Sequence, residues 1–220
     1  MIKMSKMCKS FYERDFENKV LKDIDLEVQR NEFVLLYGKS GCGKTTLLNI
    51  IGLIDTLTSG RYHLDGVDVS GLSENEMADY RNKKFGYVFQ SFFLVPELKV
   101  IDNIGLPAAY AGKEQKAVLS RASSLAEEVG IISQVKKYPF QLSGGEKQRA
   151  AIARALMNDP ETILADEPTG SLDSKNSRII MEILKRKHNE GKTIIMATHD
   201  HSMRKYATKV LYMTDGIILP

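Results

Sequence analysis

Phe33-Val34-Leu35-Leu36-Tyr37 leads into Gly38-Lys39-Ser40-Gly41-Cys42-Gly43-Lys44-Thr45-Thr46, and Leu47-Leu48 follows. An apolar run of strand character passes through a glycine-rich loop into a helical segment. Gly38, Gly43, Lys44 and Thr45 satisfy the spacing G-x-x-x-x-G-K-[ST]. A phosphate tail needs several backbone N–H donors converging on it, and side chains would obstruct that approach. Glycine clears the way and permits φ > 0. The helix that follows begins with unpaired N–H groups and a partial positive charge, which suit an anion. Lys44 can reach terminal phosphates, and the Thr45 hydroxyl can ligate Mg²⁺. Residues Gly38, Lys39, Ser40, Gly41, Cys42, Gly43, Lys44, Thr45 and Thr46 are therefore the candidate cradle of a nucleotide.

The rest of the composition limits the field. The chain has 220 residues, 43% hydrophobic and 27% charged. That suits one large globular domain, or one domain carrying an insertion. Thirty-one basic against 28 acidic residues leave a formal charge of only +3, so no nucleic acid partner is expected. Of the 2 cysteines, Cys8 and Cys42, the second sits inside the glycine loop, where a disulfide would block the ligand. Reduced thiols and a cytoplasmic location are expected. Met1–Lys6 lacks the apolar core of a signal peptide. No apolar run approaches the ~18 residues that span a bilayer, so any membrane role is expected to be peripheral, on the inner face.

Along the chain, residues 1–37 read as short strands, with alternation at Ile2 and Met4 and again from Val20 to Val28. Arg61–Val69 has the pattern of a hairpin turning at Asp65-Gly66. Ser73 and Glu76 have the spacing of a capping box, so a helix is expected to start there. Phe85–Phe89 reads as a buried strand ending at Gln90. Residues 91–158 are richer in helix formers, as in Lys113–Glu128 and Gly145–Met157. Strands return after Pro160, at Thr162–Ala165 and Lys192–Ala197, with helical Lys175–Asn189 between them. Val210–Met213 reads as an edge hairpin turning at Thr214-Asp215-Gly216. The pattern is a strand-and-helix core interrupted by a helical insertion.

Thr162-Ile163-Leu164-Ala165-Asp166-Glu167-Pro168 is an apolar strand ending in two carboxylates. Ligands of open parallel sheets sit beyond the carboxyl ends of the strands. Asp166 is placed to serve a nucleotide-bound Mg²⁺, and Glu167 to orient or deprotonate an attacking water. Adjacent carboxylates raise each other's pKa unless a cation lies near, and a divalent ion at Asp166 would relieve that conflict.

Leu142-Ser143-Gly144-Gly145-Glu146 resembles the signature sequence of ABC-type ATPases, and lies, as in that family, between the phosphate loop and the Asp166 strand. Gln90 matches the family's Q-loop, Ser171-Leu172-Asp173 its D-loop and His199 its switch histidine. Phe11 matches the aromatic that stacks on adenine, with Tyr12 as the alternative, since the family more often has tyrosine. The resemblance spans essentially the whole chain. It implies an α/β fold, a P-loop NTPase (RecA-like) core with an N-terminal antiparallel β subdomain and a helical subdomain insertion. It also implies one ABC ATPase domain, 1–220, with 1–90 and 159–220 as nucleotide-binding core and β subdomain and 91–158 as helical subdomain. The cofactors implied are ATP and Mg²⁺. Catalysis would fall to Glu167, His199 and Gln90, and the metal to Thr45, Gln90 and Asp166.

Ser143-Gly144-Gly145 before a helix is itself a second anion-binding start. The phosphate loop already supplies one, so a second points to the nucleotide of another chain. In ABC ATPases the signature of one subunit covers the nucleotide held by the other, together with the Asp173 loop. One copy of each motif implies a homodimer formed through ATP. Ser91-Phe92-Phe93-Leu94-Val95-Pro96-Glu97-Leu98 is unusually apolar for a solvent loop. Its expected use is a groove that receives a short helix from a membrane-spanning permease subunit. The runs Gln90–Pro96 and Leu164–Asp173 look like the branch that includes lipoprotein-release, macrolide-efflux, antimicrobial-peptide-export and cell-division ATPases. The competing readings are a non-transport ABC ATPase of cell division, DNA repair or translation, and a phosphate-loop kinase. DNA-repair and translation members usually carry coiled-coil insertions or two linked units, and Leu142–Glu146 has no task in a kinase.

Overall fold

Parallel strands buried on both faces must be largely apolar, and this chain supplies four of them beside a fifth, Lys209–Thr214, that is only half-buried. The computed structural model describes residues 1–14 and 16–219. A six-stranded sheet runs in the order β10 (Ile217–Leu219), β9 (Lys209–Thr214), β3 (Phe33–Tyr37), β8 (Thr193–Thr198), β7 (Thr162–Asp166), β6 (Phe85–Val88). All neighbours are parallel except the β9–β10 hairpin. Phe33, Leu35, Ile163, Ala165, Ile194 and Met196 enter one core cluster. The alternate residues Val34, Leu36, Leu164, Ile195 and Ala197 enter the other. Strand periodicity thus divides one sheet between two cores.

The first core is closed by α3 (Val100–Tyr110), α4 (Gln115–Glu128), α5 (Gly144–Ala155) and α6 (Ser174–Asn189). The second is closed by α1 (Lys44–Ile51) and a four-stranded antiparallel sheet, β2 (Phe16–Val28), β1 (Ile2–Glu13), β4 (Ser59–Leu64), β5 (Val67–Asp68). The expected α/β architecture is therefore present. So is the turn at Asp65-Gly66, with φ of 50° and 84°, the signs that a type I′ hairpin needs. Ser73 caps α2 (Glu74–Lys84) through the expected reciprocal box with Glu76.

Several boundaries differ from the sequence reading. The N-terminal strands are long, 12 and 13 residues. Register shifts between Met4 and Ser10 interrupt the alternation, which makes one long strand read as several. The Phe85 strand ends at Val88, leaving Phe89 and Gln90 outside it. The C-terminal pair holds one edge only, because β9 also pairs with β3. α3 escaped the reading because Gly105 and Pro107 lower helix propensity. Burial of Val100, Ile104 and Ala108, one turn apart, holds it nevertheless. Residues 91–98 form no helix.

Candidate active site

The phosphate loop emerges from the carboxyl end of β3, between β8 and β9, and closes into α1. Gly41 and Gly43 take φ of 80° and 102°, conformations that side chains resist. A Cβ on Gly38 would lie 2.4 Å from the Met213 carbonyl oxygen, and one on Gly43 2.8 Å from Leu21 Cδ2. The loop is thus wedged between β9 and β2. No side chain caps α1 and its first turn holds no carboxylate, so its N-terminal field is left for an anion. Buried Lys44 donates from Nζ to the carbonyls of Gly38 (2.7 Å) and Lys39 (3.0 Å). Its ammonium lies coiled within the loop, held by oxygens that phosphate oxygens can replace.

Thr45 Oγ1 donates to Asp166 Oδ2 at 2.7 Å, joining the loop to the end of β7 across β8. Asp166 Oδ1 is buried with no hydrogen-bond partner. Burial pushes the Asp166 carboxyl up, the Thr45 hydroxyl opposes this, and the neighbouring Glu167 charge adds to it. An orphaned buried carboxylate oxygen beside a hydroxyl is a hard-oxygen donor set that fits Mg²⁺. Among the described residues no group of three or more His, Cys, Asp or Glu is arranged for a metal. A Mg²⁺ would therefore complete its shell with phosphate and water oxygens, as this ion commonly does.

Glu167 has φ 43° and its N–H donates to the Ala197 carbonyl at 2.9 Å. This left-handed residue, held by the β8 backbone, costs about 1–3 kcal/mol locally and turns the carboxylate toward the next loop. There Glu167 Oε2 accepts from Thr198 Oγ1 at 3.1 Å, and Oε1 lies 2.8 Å from His199 Nδ1. The sequence reading aimed His199 at a terminal phosphate; its partner in the structure is the carboxylate beside it. Thr198 was missed, although its place next to His199 was the available signal. Gln90 is exposed two residues beyond β6. Its Nε2 lies 3.6 Å from where a Cβ would stand on Gly170, and Glu167 Cβ lies 3.5 Å from the same point. The Gln90 amide and the Glu167 Cβ therefore border the same space beside Gly170.

Phe11 pairs with Asn18 in the β1–β2 ladder. Two residues on, Val20 places Cγ1 3.6 Å from the Cβ position of Gly43. Phe11 is 45% exposed, with Lys9 Nζ 4.7 Å from its ring centroid. Tyr12, alternating to the other face, directs its hydroxyl to Glu17 at 3.3 Å.

Ser143 caps α5, in a reciprocal box with Glu146, and Gly144 and Gly145 form the first turn. Their neighbours are Leu172 and Asn176, so this second helix start belongs to the α5–α6 contact. Asp173 caps α6: its Oδ1 accepts from Asn176 N at 2.8 Å and its Oδ2 from Asn176 Nδ2 at 2.7 Å. Arg149 Nη1 donates to Asn176 Oδ1 at 3.3 Å. Asn176 ties the two loops together and was not read from the sequence. The Asp173-x-x-Asn176 spacing was its only trace.

The segment after Gln90 is unusual. Phe92 and Phe93 take φ of 60° and 46°, and Phe93 N–H donates to the Ser91 carbonyl at 2.6 Å. That is a γ-turn of the rarer, strained hand. Phe93 is 62% exposed and, with Phe89, Leu106, Pro107 and Tyr110, lines an open groove of about 840 Å³.

Comparison with known proteins accords with these motifs. The family described as ABC transporter matches residues 21–170. The chain is 44% identical over 219 residues to the macrolide export ATP-binding/permease protein MacB of Mannheimia succiniciproducens. It spans about a third of that relative's length, 34%. It is also 44% identical over 219 residues to MJ1508 of Methanocaldococcus jannaschii, described as an uncharacterized ABC transporter ATP-binding protein, and covers 98% of it. The ATP-binding cassette MJ0796, solved as a dimer in a post-hydrolysis state bound to ADP and Pi, superposes with a TM-score of 0.94 at 36% identity. That match covers 100% of this chain and 97% of the other. With a family match over most of its length, a full-length superposition on a solved cassette, and the phosphate loop, paired carboxylates and capped glycine turn of the motifs in place, this chain belongs to the ABC transporter family.

Proposed function

We propose that this chain binds and hydrolyses ATP, closes on a second copy of itself around the nucleotide, and drives a membrane-spanning permease. The observation that carries the proposal is the convergence of Lys44, Thr45, Asp166, Glu167 and Gln90 at the carboxyl ends of β3, β7 and β6. Sequence separations of up to 121 residues collapse there into direct contacts. The phosphate loop, Gly38 to Thr46, wraps the phosphates with N–H donors. Lys44 exchanges its loop carbonyls for phosphate oxygens. Phe11, exposed and paired with Asn18 two residues from the Val20 that borders the phosphate loop, stacks on the adenine. Thr45 and Asp166, with Gln90 nearby, would hold Mg²⁺, which supplies charge neutralisation on the phosphates when bound. Glu167 accepts a proton from the attacking water as its oxygen bonds to the terminal phosphorus, and ADP leaves. His199, paired with Glu167, orients that carboxylate and the terminal phosphate.

Ser143, Gly144, Gly145 and Asp173 would meet the nucleotide held by the partner copy. The dimeric state of the MJ0796 cassette supports this. Closure is then a population shift that ATP favours and hydrolysis reverses. The groove around Phe93 receives the permease. The MacB relatives, named ATP-binding/permease proteins and about three times as long, support that pairing. No described helix is long and apolar enough to cross a membrane, which suits a chain held peripherally on the cytoplasmic face. The cargo class that fits the branch is a peptide, lipid or drug-like molecule for export or extraction. The 1–90/159–220 and 91–158 division remains our proposed subdomain boundary, with the signature on the helical side.

The test is light scattering with MgATP under conditions that slow hydrolysis, followed by co-purification with a co-expressed multi-spanning permease. Dimer formation on ATP and loss of co-purification in Phe93→Asp are expected. A strictly monomeric chain with ATP would overturn the closure, and undiminished capture by Phe93→Asp the groove.

A further inference from the structure

Arg154 lies in the last turn of α5, and its guanidinium forms no ion pair with a described carboxylate. Both of its terminal nitrogens instead donate to backbone carbonyls: Nη2 to Phe92 at 2.7 Å, and Nη1 to Phe93. These are the two left-handed residues that follow the Q-loop. Burial without a counter-ion pushes the Arg154 guanidinium below its ordinary range. A cation partly withdrawn from water needs strong partners, and here they are two carbonyls of a γ-turn. Two consecutive phenylalanines do not hold such a turn unaided, because the surroundings must over-determine a sparsely populated backbone.

Along the chain, Gln90 lies between this clamp and the first members of a stack of rings. Tyr87 and Phe89 are stacked with centroids 5.3 Å apart and planes 9° apart. Phe93 meets Phe89 edge-on at 5.1 Å and 85°. The Tyr87 hydroxyl presses on Gly52, the residue that caps α1, 1.3 Å from where a Cβ would stand. The backbone before Gln90 is thus held by rings anchored against the phosphate-loop helix. The backbone after it is held by a guanidinium carried on the signature helix. α5 is 12 residues long, about 18 Å at 1.5 Å per residue, with Ser143 at one end and Arg154 at the other.

We propose that Arg154 is a positioning residue that acts through Gln90: it holds the strained Phe92-Phe93 turn on the end of the signature helix and so sets where the Gln90 amide stands. The inference rests on the ATPase reading for its kinetic consequence, and on geometry alone for its structural one. A partner seated against Phe93 would load the same clamp, so groove and signature helix move as one piece.

The test is a double-mutant cycle on the full chain with Arg154→Lys and Gln90→Ala. Lysine keeps the charge and loses the two-pronged fork. The expectation for Arg154→Lys is a fall in kcat of about tenfold with KM for ATP little changed, as misplacement of a positioned group produces. In the Gln90→Ala background the same change should cost less than about twofold, because coupled residues are non-additive. Amide exchange of Phe92 and Phe93 should rise at least about tenfold while amides of the β3 and β8 core keep their protection. Equal kinetic losses in both backgrounds would overturn the action through Gln90, and unchanged exchange at Phe92 and Phe93 would overturn the clamp. The exchange measurement needs no turnover, so it separates failure of this inference from failure of the ATPase reading. If Arg154→Lys folds poorly, Phe92→Gly relieves the strained φ and the cycle is run in that background. Poor folding there too would assign Arg154 to stability alone and overturn the proposal.

Discussion

Thr45 and Asp166, separated by 120 intervening residues, share a 2.7 Å hydrogen bond that leaves the second oxygen of Asp166 buried and unpartnered. A buried carboxylate left half unsatisfied weakens the fold. Burial raises its pKa, so the folded state binds its proton more tightly than the unfolded chain does. Stability therefore falls as pH rises from the unfolded pKa through the folded one, and the full penalty persists at neutral pH. Asp166→Asn should raise the melting temperature of the nucleotide-free chain at pH 7. Melting curves at descending pH should show that advantage shrink as pH falls through the folded pKa and vanish only below the unfolded value of about 3.9, where the carboxyl is protonated in both states. Turnover should fall at least about a hundredfold, since charge stabilisation by a bound metal is worth several kcal/mol.

Glu167 is the candidate base. Glu167→Gln keeps the volume and an oxygen for the Thr198 hydroxyl but cannot take a proton. Single-turnover assays should show a loss of about 10²–10⁴-fold, with nucleotide affinity retained and the dimer accumulating in MgATP. Wild-type turnover in this variant would remove Glu167 from the role.

Gly144 and Gly145 make opposite predictions despite adjacency. A Cβ on Gly144 meets Leu172 Cδ2 at an ordinary 3.5 Å, whereas one on Gly145 would stand 2.1 Å from Asn176 Oδ1. Gly145→Ala must displace Asn176 from Asp173 and Arg149, and overpacking of this kind costs about 1–3 kcal/mol. Gly144→Ala should unfold in denaturant close to the parent. Asn176→Ala added to Gly145→Ala should restore most of the lost stability.

Far from the site, Asp65 gathers the Met1 amine at 2.6 Å, Arg30 at 3.0 Å and Lys84 at 3.1 Å. Burial alone would raise its pKa, but the hydrogen bonds from these three cations overcome it and hold the carboxyl far below the usual range. A depressed carboxyl stabilises the fold above the unfolded pKa of about 3.9 and loses that contribution as pH falls through the folded value. Asp65→Asn keeps a side chain suited to positive φ at this turn. It should melt below the parent by a constant margin above about pH 5, with the margin closing progressively below pH 4.

The motifs and their chain order were legible in the sequence, because phosphate binding by backbone N–H groups imposes a local spacing. Gly38 to Thr45 needs nothing beyond eight consecutive residues to declare itself. The Asp65-Gly66 turn and the capping box at Ser73 are local for the same reason: a turn or a cap is satisfied within four residues. The length of the first two strands was not legible, since bulges erase the alternation that marks a strand. α3 was not legible either, because burial rather than propensity holds it.

Sequence alone therefore determined which atoms this protein can offer to a nucleotide and in what order along the chain. Tertiary structure alone decided which of those atoms meet: Thr45 with Asp166, Glu167 with Thr198 and His199, Arg154 with the carbonyls of Phe92 and Phe93. The reason is the range of the forces involved. Backbone hydrogen bonding in loops and caps acts over a few residues and leaves a local pattern. The packing of a parallel sheet brings strand ends together across more than a hundred residues and leaves no local trace of which side chains will touch.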